Sequence, residues 1–232
     1  MVDIDPDQLP QGDEKRDQVT TMFDTIAPRY DLVNRIMTFG LDVRWRRRTV
    51  KRLGLSPAST VIDLACGTGD FCRDLDRAGL QPVGLDLSMG MLLAARTDAP
   101  LANADVLTLP VPDGAVDGVT CGFALRNFVE LEGFFAELAR VTRPGGRIAL
   151  LEVAEPDSRF LRWGHSVYFG SVVPFIGGIL SDRTAYRYLP KSVAYLPERE
   201  VLVESLTDAG FVHVDHTLLN GGIAQLFLAT RA

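Results

Sequence analysis

Residues 61–71 read VIDLACGTGDF. The run is apolar but for Asp63. It gives way to the small residues Ala65, Cys66, Gly67, Thr68 and Gly69, and then to a second acid, Asp70. That order describes a buried strand running into a glycine loop that opens a helix, the arrangement by which doubly wound sheets hold nucleotide-type cofactors.

The pattern on either side alternates. QPVGLDL reads as a strand and SMGMLLAART as a helix with Ser88 as its N-cap. LANADV is a short strand, VDGVTCGF a strand, LEGFFAELARV a helix, RPGG a turn and GRIALLEV a strand. Near-continuous apolar strands separated by helices imply a mostly parallel α/β sheet covered on both faces. Upstream, Val19, Met22, Phe23 and Ile26 recur at helical spacing, and a second helical region runs from Tyr30 to about Leu53. It carries RWRRRTVKR at 44–52, read as a solvated face beside an apolar stripe of Trp45, Thr49 and Leu53, or as a contact for anionic lipid headgroups. Near the C-terminus, EREVLVESLTDAG is a helix, and FVHVDHTLL and GIAQLFLAT form a β-pair joined at Asn220-Gly221-Gly222.

These elements divide one domain into four stretches behind a polar, acidic arm at 1–13, expected to be disordered. They are an N-terminal helical lid at 14–55, a cofactor-binding core at 59–153, an apolar lid at 157–190 and a C-terminal helix with the β-pair at 198–232. The chain has 232 residues, 47% hydrophobic and 23% charged, with a net charge of −6 that argues against nucleic acid as the main partner. Three cysteines, Cys66, Cys72 and Cys121, fall in core segments and suggest a reducing, cytoplasmic setting rather than a disulfide framework. Trp163–Ser181 is free of formal charge, but glycines, serines and Pro174 break it, so it reads as short apolar helices rather than a span.

Asp86 ends the next strand nineteen residues after Gly67, the spacing of a carboxylate that accepts hydrogen bonds from ribose hydroxyls. NAD and S-adenosylmethionine both satisfy that. The dinucleotide fingerprint wants a third small residue, and Cys72 stands there. Asp63 and Asp70 flank the loop and would repel a diphosphate, whereas they suit a ligand bearing an ammonium and a sulfonium. Asp105 closes the third apparent strand, where a carboxylate can meet an adenine amino group. Together these favour S-adenosylmethionine and methyl transfer.

Residues 59–153 resemble class I methyltransferases. YDLVNRIMTFGLDVRW, ADVLTLPVPDGAVDGVTCGFALRNF, RVTRPGGRIALLE and VVPFIGGILSDRTAYRYLPKSV resemble the ubiquinone/menaquinone-biosynthesis C-methyltransferase family, from Phe23 to about Gly222. The resemblance implies a Rossmann-like, seven-stranded fold and methylation of a ring carbon of a prenylated hydroquinone such as demethylmenaquinol. It places cofactor contacts in the glycine loop at Thr68, at Asp86 and at the Asp105-Val106 pair, the adenine site. A family serine aligns with Gly122, so a side-chain contact is lost there. The sequence departs from the family pattern at Val33, Thr38, Asp42, Ala154 and the C-terminal AQLFLATRA. A soluble aromatic or natural-product acceptor is the alternative substrate.

A hydroquinone carbon becomes nucleophilic when its neighbouring hydroxyl is ionised, so charge or a proton acceptor is needed beside the ring. Arg126 and Asn127 follow the fourth strand at the ligand edge. Arg126 is read as a phenolate stabiliser, or as an ion pair with a carboxylate such as Glu130, and Asn127 as a partner for a ring oxygen. Tyr30 and Asn34 sit on the lid helices, and Glu152 ends the fifth strand as a base or a structural acceptor. His213 and His216 lie on an apparent strand as surface residues. No metal cluster is visible. The apolar lid offers a groove for a prenyl tail, and with Arg44–Arg52 it suggests peripheral contact with a membrane surface.

Overall fold

In the computed structural model, which describes residues 11–154, Pro156 and 192–232, seven strands form one sheet in the order β3-β2-β1-β4-β5-β7-β6. β1 (Thr60–Leu64), β2 (Gln81–Asp86), β3 (Leu101–Asn103), β4 (Val116–Gly122) and β5 (Thr142–Val153) pair in parallel. β7 (Ala224–Arg231) runs antiparallel to β5 on one side and to β6 (Phe211–Leu219) on the other. Strand order reverses at β1, which puts the glycine loop at the switch point. The whole of the expected apolar lid at 157–190, with its tail groove, and the first ten residues of the arm lie outside the described residues.

The helices are α1 (Gly12–Ile26), α2 (Tyr30–Met37), α3 (Leu41–Leu53), α4 (Asp70–Arg77), α5 (Met89–Leu93), α6 (Leu131–Val141) and α7 (Arg199–Asp208). The long helical region expected from Tyr30 to Leu53 is two helices. Phe39 and Gly40 take φ of 51° and 71°, and successive left-handed residues cannot continue a right-handed helix. α5 is shorter than its sequence suggested, although Ser88 does cap it, its hydroxyl accepting from the Met91 N–H at 3.1 Å. The RPGG turn is a bulge inside β5: between the pairs Val116↔Thr142 and Gly118↔Arg147, β5 carries the extra residues.

Period-two alternation sends neighbouring side chains to opposite faces. Ile62, Leu64, Val119, Ile148 and Leu150 pack with Phe134, Phe135, Leu138 and Leu206. Val61, Ala149 and Leu151 pack with Trp45, Leu53, Phe71 and Leu75. Each fully buried large side chain contributes about 1.5–3 kcal/mol. The parity also places the polar residues: Asp63 shares the face of Val61, toward α4, and Glu152 shares the face of Leu150. α1 and α2 form a small third core through Met22, Ile26, Val33 and Met37, closed by Met91 of α5. They thereby lie across the ligand edge of the sheet.

Close helix–strand packing behind the loop is met in an unexpected place. A Cβ on Gly84 of β2 would stand 2.8 Å from the Cys66 sulfur and 3.1 Å from that of Cys72. The small residue that such packing requires is therefore on β2, which leaves position 72 free to be cysteine.

Candidate active site

The glycine loop is built on left-handed backbone at Ala65, Gly67 and Gly69. Asp86, at the end of β2, fixes it: one carboxylate oxygen accepts from the Gly67 N–H at 2.7 Å and the other from the Ser88 N–H at 2.8 Å. A carboxylate has about four acceptor positions, so capacity remains toward the cleft that Asp86 lines. Burial pushes the Asp86 carboxyl up, while the two backbone N–H groups pull it down. The cleft spans about 850 Å³ counted together with its open mouth. Its lining joins the apolar Phe23, Met91, Val106 and Leu107 to Asp86 and Asp105 and to Tyr30, Gly122 and Asn127.

α1 and the start of α2 roof this cleft through long-range polar contacts. Arg16 reaches Asp105 at 3.7 Å. Asp24 accepts from the Ser88 hydroxyl at 2.5 Å and from the Gly90 N–H at 2.8 Å. The Thr68 hydroxyl donates to Asp31. Lys15 donates to the Phe128 carbonyl at 2.8 Å and lies 3.8 Å from the centre of the Tyr195 ring. Burial pulls its ammonium down to about 8. Sequence reasoning identified none of these four lid residues. Each is an ordinary polar position on an amphipathic helix, and its partner lies at least 37 residues away.

Of the candidates named from sequence, Tyr30, Gly67, Asp86, Asp105, Val106, Gly122 and Asn127 meet in the cleft. Asp105 does not end β3, which stops at Asn103; it opens a turn instead, accepting from the Leu107 N–H at 2.9 Å. The Tyr30 hydroxyl makes no hydrogen bond among the described residues, and burial pushes it up to about 12, with the Arg126 charge pulling the other way. It is a neutral donor at any ordinary pH. Gly69 faces away, 2.6 Å from Thr97 by its absent Cβ.

Asp63 and Asp70 are not among the residues that line the cleft. Asp63 is buried behind the loop and accepts from Thr120 Oγ1 at 2.8 Å and from the Cys72 thiol at 3.7 Å. Burial pushes it up to about 7 against those hydrogen bonds. Asp70 pairs with Arg73, with Arg46 at 2.9 Å and with Arg35 at 3.8 Å. Arg46, part of the run expected to be solvated, is itself buried and also holds Asp42 at 2.8 Å and Asp74 at 3.3 Å. The expectation that both acids repel a diphosphate is therefore corrected: one is masked by cations and the other is set back in the sheet. The charges that do line the cleft are Asp86, Asp105 and Arg16, a balance that still favours a cationic ligand.

Arg126 and Glu152, proposed separately from sequence, are partners of one another, and Glu130 instead caps α6 through the Gly133 N–H at 2.6 Å. Arg126 also donates to the Phe123 carbonyl at 2.7 Å and to Ser192 at 3.1 Å, and Glu152 accepts from the Val153 N–H at 2.8 Å. The pair fastens the single-turn helix Leu125–Asn127 to the end of β5 and so aims Asn127 at the cleft. His213 is exposed on a bulge of β6, and His216 bonds Gln225 at 3.0 Å. Among the described residues no group of three or more His, Cys, Asp or Glu is placed to hold a metal, and no helix is long and apolar enough to cross a membrane.

The profile of the ubiE/COQ5 methyltransferase family matches residues 11–231. The chain is 44% identical over 220 residues to a demethylmenaquinone methyltransferase of Thermus thermophilus, covering 90% of this chain and 100% of that one. The chain belongs to the ubiE/COQ5 methyltransferase family. Further members at similar distance are the ubiquinone/menaquinone biosynthesis C-methyltransferase UbiE of Syntrophotalea carbinolica, 39% identical over 91% of this chain and 93% of that one, and a demethylmenaquinone methyltransferase of Corynebacterium kroppenstedtii, 38% identical over 94% and 96%. The expected family is borne out, and so is the fold. The [4+2]-cyclase SpnF superposes with a TM-score of 0.67 at 17% identity, covering 92% of this chain and 95% of that one. Phosphoethanolamine N-methyltransferase 2 of Haemonchus contortus, solved with S-adenosyl-L-methionine, gives 0.60 at 15%, covering 80% and 52%. At such identities the likeness is one of fold.

Within the family frame, Gly122 has a physical reason. A Cβ there would lie 2.5 Å from the Phe71 ring. Where the resemblance leads one to expect serine, this protein turns a buried aromatic of α4 against the strand, so the cleft wall here is backbone.

Proposed function

We propose that this protein transfers the methyl group of S-adenosylmethionine to a ring carbon of a prenylated hydroquinone of the demethylmenaquinol type. The observation that carries the reading is one roofed cleft joining Asp86 to Tyr30 and Asn127, in a chain that spans the full length of a demethylmenaquinone methyltransferase. When bound, S-adenosylmethionine supplies an electrophilic methyl on a sulfonium. Asp86 accepts from the ribose hydroxyls while holding Gly67, and Asp105 and Val106 border the adenine. Thr68, held by Asp31, fixes the loop between them.

The acceptor ring then lies on the Tyr30–Asn127 side. Tyr30, kept protonated by burial, donates to one ring oxygen, and the Asn127 amide bonds the other. The Arg126 guanidinium opposes the effect of burial on Tyr30, and Arg126 directly precedes Asn127, so its charge stands behind this part of the wall. It stabilises charge developing on the ring oxygen from behind the wall, partly offset by Glu152, and the proton that the methyl replaces on the ring carbon is lost to bulk water after transfer. α1 and α2 exclude water from the reacting pair. The prenyl tail leaves the cleft toward a bilayer surface, which makes the enzyme a peripheral protein of the cytoplasmic side.

The test is methyl transfer from labelled cofactor to demethylmenaquinol, a demethoxyubiquinol-type ring and short soluble naphthols. Demethylmenaquinol is expected to react with the largest kcat/KM. Transfer to soluble naphthols alone would overturn the reading.

A further inference from the structure

The basic run at 44–52 has six cationic side chains, and the fold divides them. Arg46 is buried among Asp42, Asp70 and Asp74, Arg47 pairs with Asp74 at 3.6 Å, and Arg52 pairs with Asp215 at 2.7 Å. Arg44, Arg48 and Lys51 are exposed and make no ion pair among the described residues. Their spacing places all three on one face of α3. The helix immediately before it exposes apolar side chains beside one cation, Arg35, which reaches Asp70 at 3.8 Å. Leu32 and Ile36, one turn apart on α2, are 56% and 39% exposed, and Phe39 at the elbow between the helices is 77% exposed. Phe39 is displayed there by a left-handed backbone that is unfavourable for a bulky residue.

We propose that the α2–α3 elbow is the surface by which this protein docks on an anionic lipid bilayer. Leu32, Ile36 and Phe39 enter the interface, and Arg44, Arg48 and Lys51 meet the headgroups. Charge complementarity selects this partner over others. The chain as a whole carries −6, so attraction to an anionic surface requires a local patch where cations stand free of carboxylates. An apolar knob beside such cations matches the headgroup–acyl boundary, where charge and buried carbon add. The position also suits the chemistry, because α2 itself carries Tyr30 into the cleft. Docking at the elbow brings the mouth of the site to the layer that holds a prenylated ring. That last step rests on the function proposed above; the docking itself does not.

The test is co-sedimentation of the full chain with vesicles of phosphatidylcholine alone, or with 30% phosphatidylglycerol, and no quinol in either. The protein should bind only the anionic vesicles, and release in about 0.5 M salt, where screening shortens to a few ångströms. The triple variant Arg44→Gln/Arg48→Gln/Lys51→Gln should lower the partition coefficient on the order of 100-fold, since each cation near such a surface contributes about a factor of five. Phe39→Asn, which suits the left-handed backbone, should lower it on the order of 10-fold. Both variants should methylate a tailless quinol as the parent does. The proposal is overturned if the parent prefers neither vesicle, if both variants bind like the parent, or if the variants change only the oligomeric state in analytical ultracentrifugation. Failure of methyl transfer with the parent would instead strike the proposed function and leave the docking result standing.

Discussion

Asp63 offers the sharpest test of the electrostatics. Its carboxyl is 1% exposed, with one hydroxyl and one weak thiol donor as partners and no cation in contact. Burial raises it from about 3.8 to about 7. Each unit corresponds to about 1.4 kcal/mol, so the ionised form is disfavoured by on the order of 4 kcal/mol in the folded chain. The sign follows from proton counting. Between pH 4 and 7 the folded state holds a proton that the unfolded state has lost, so stability falls as pH rises through this window and levels off above it.

Asp63→Asn removes the titration while keeping the shape of the protonated carboxyl. Its amide oxygen can accept from Thr120, and its NH2 can face the Cys72 sulfur. Urea unfolding of both proteins at pH 5, 6, 7 and 8, without cofactor, isolates the term because every other group is shared. The stability of Asp63→Asn relative to the parent should grow by about 2 kcal/mol from pH 5 to 7 and by only a few tenths more to pH 8. Two parallel profiles would show that Asp63 titrates like an exposed acid, and the account of a buried, poorly partnered carboxyl behind the loop would fail.

Asp86→Ala removes both the acceptor of the Gly67 and Ser88 N–H groups and the ribose partner. Calorimetry should show the affinity for S-adenosylmethionine falling on the order of 10–100-fold, the loss of a charge-assisted hydrogen bond, whereas unchanged affinity would refute the ribose assignment. Arg126→Ala leaves buried Glu152 without its partner, so it should lower stability by about 3–5 kcal/mol, measured by urea unfolding, as well as kcat. If the Arg126→Met/Glu152→Gln double variant regains that stability but not kcat, the guanidinium acts on the ring; if it regains both, Arg126 is only structural.

Local pattern reached far into this fold because local physics sets it. β1, β2 and β4 are buried on both faces, so their apolar runs could not be anything but central strands, and the step from Asp63 to Gly67 to Asp86 follows from how a strand feeds a loop at a switch point. Boundaries failed where a single conformation decided them. Left-handed Phe39 splits a helix that its composition would continue, and the residues around Pro144 extend β5 as a bulge instead of ending it. Gly84 shows a subtler limit: the fingerprint expects the small residue of the helix–strand contact on α4, but the contact has two sides and the strand supplies it.

Charge was the least legible property, because a formal charge acts only through what surrounds it. In the sequence Asp63 and Asp70 are equivalent, two acids beside one loop. Three arginines converge on Asp70, two of them from the lid helices, 35 and 24 residues upstream, and no local pattern announces that convergence. Asp63 lies on the strand face that α4 covers, so its field is spent on Thr120 and Cys72 instead of on a ligand. The preference for a cationic cofactor survives on a different residue. Asp86 has its two backbone donors on one side and the cleft on the other, and among the carboxylates at the loop it alone both shapes the glycine turn and retains free acceptor positions. A sequence argument from counted acids could name the right ligand here only because the acids that line the cleft, Asp86 and Asp105, stood in the set. Deleting Asp70 should therefore disturb the docking of α3 on α4 more than the selection of the cofactor.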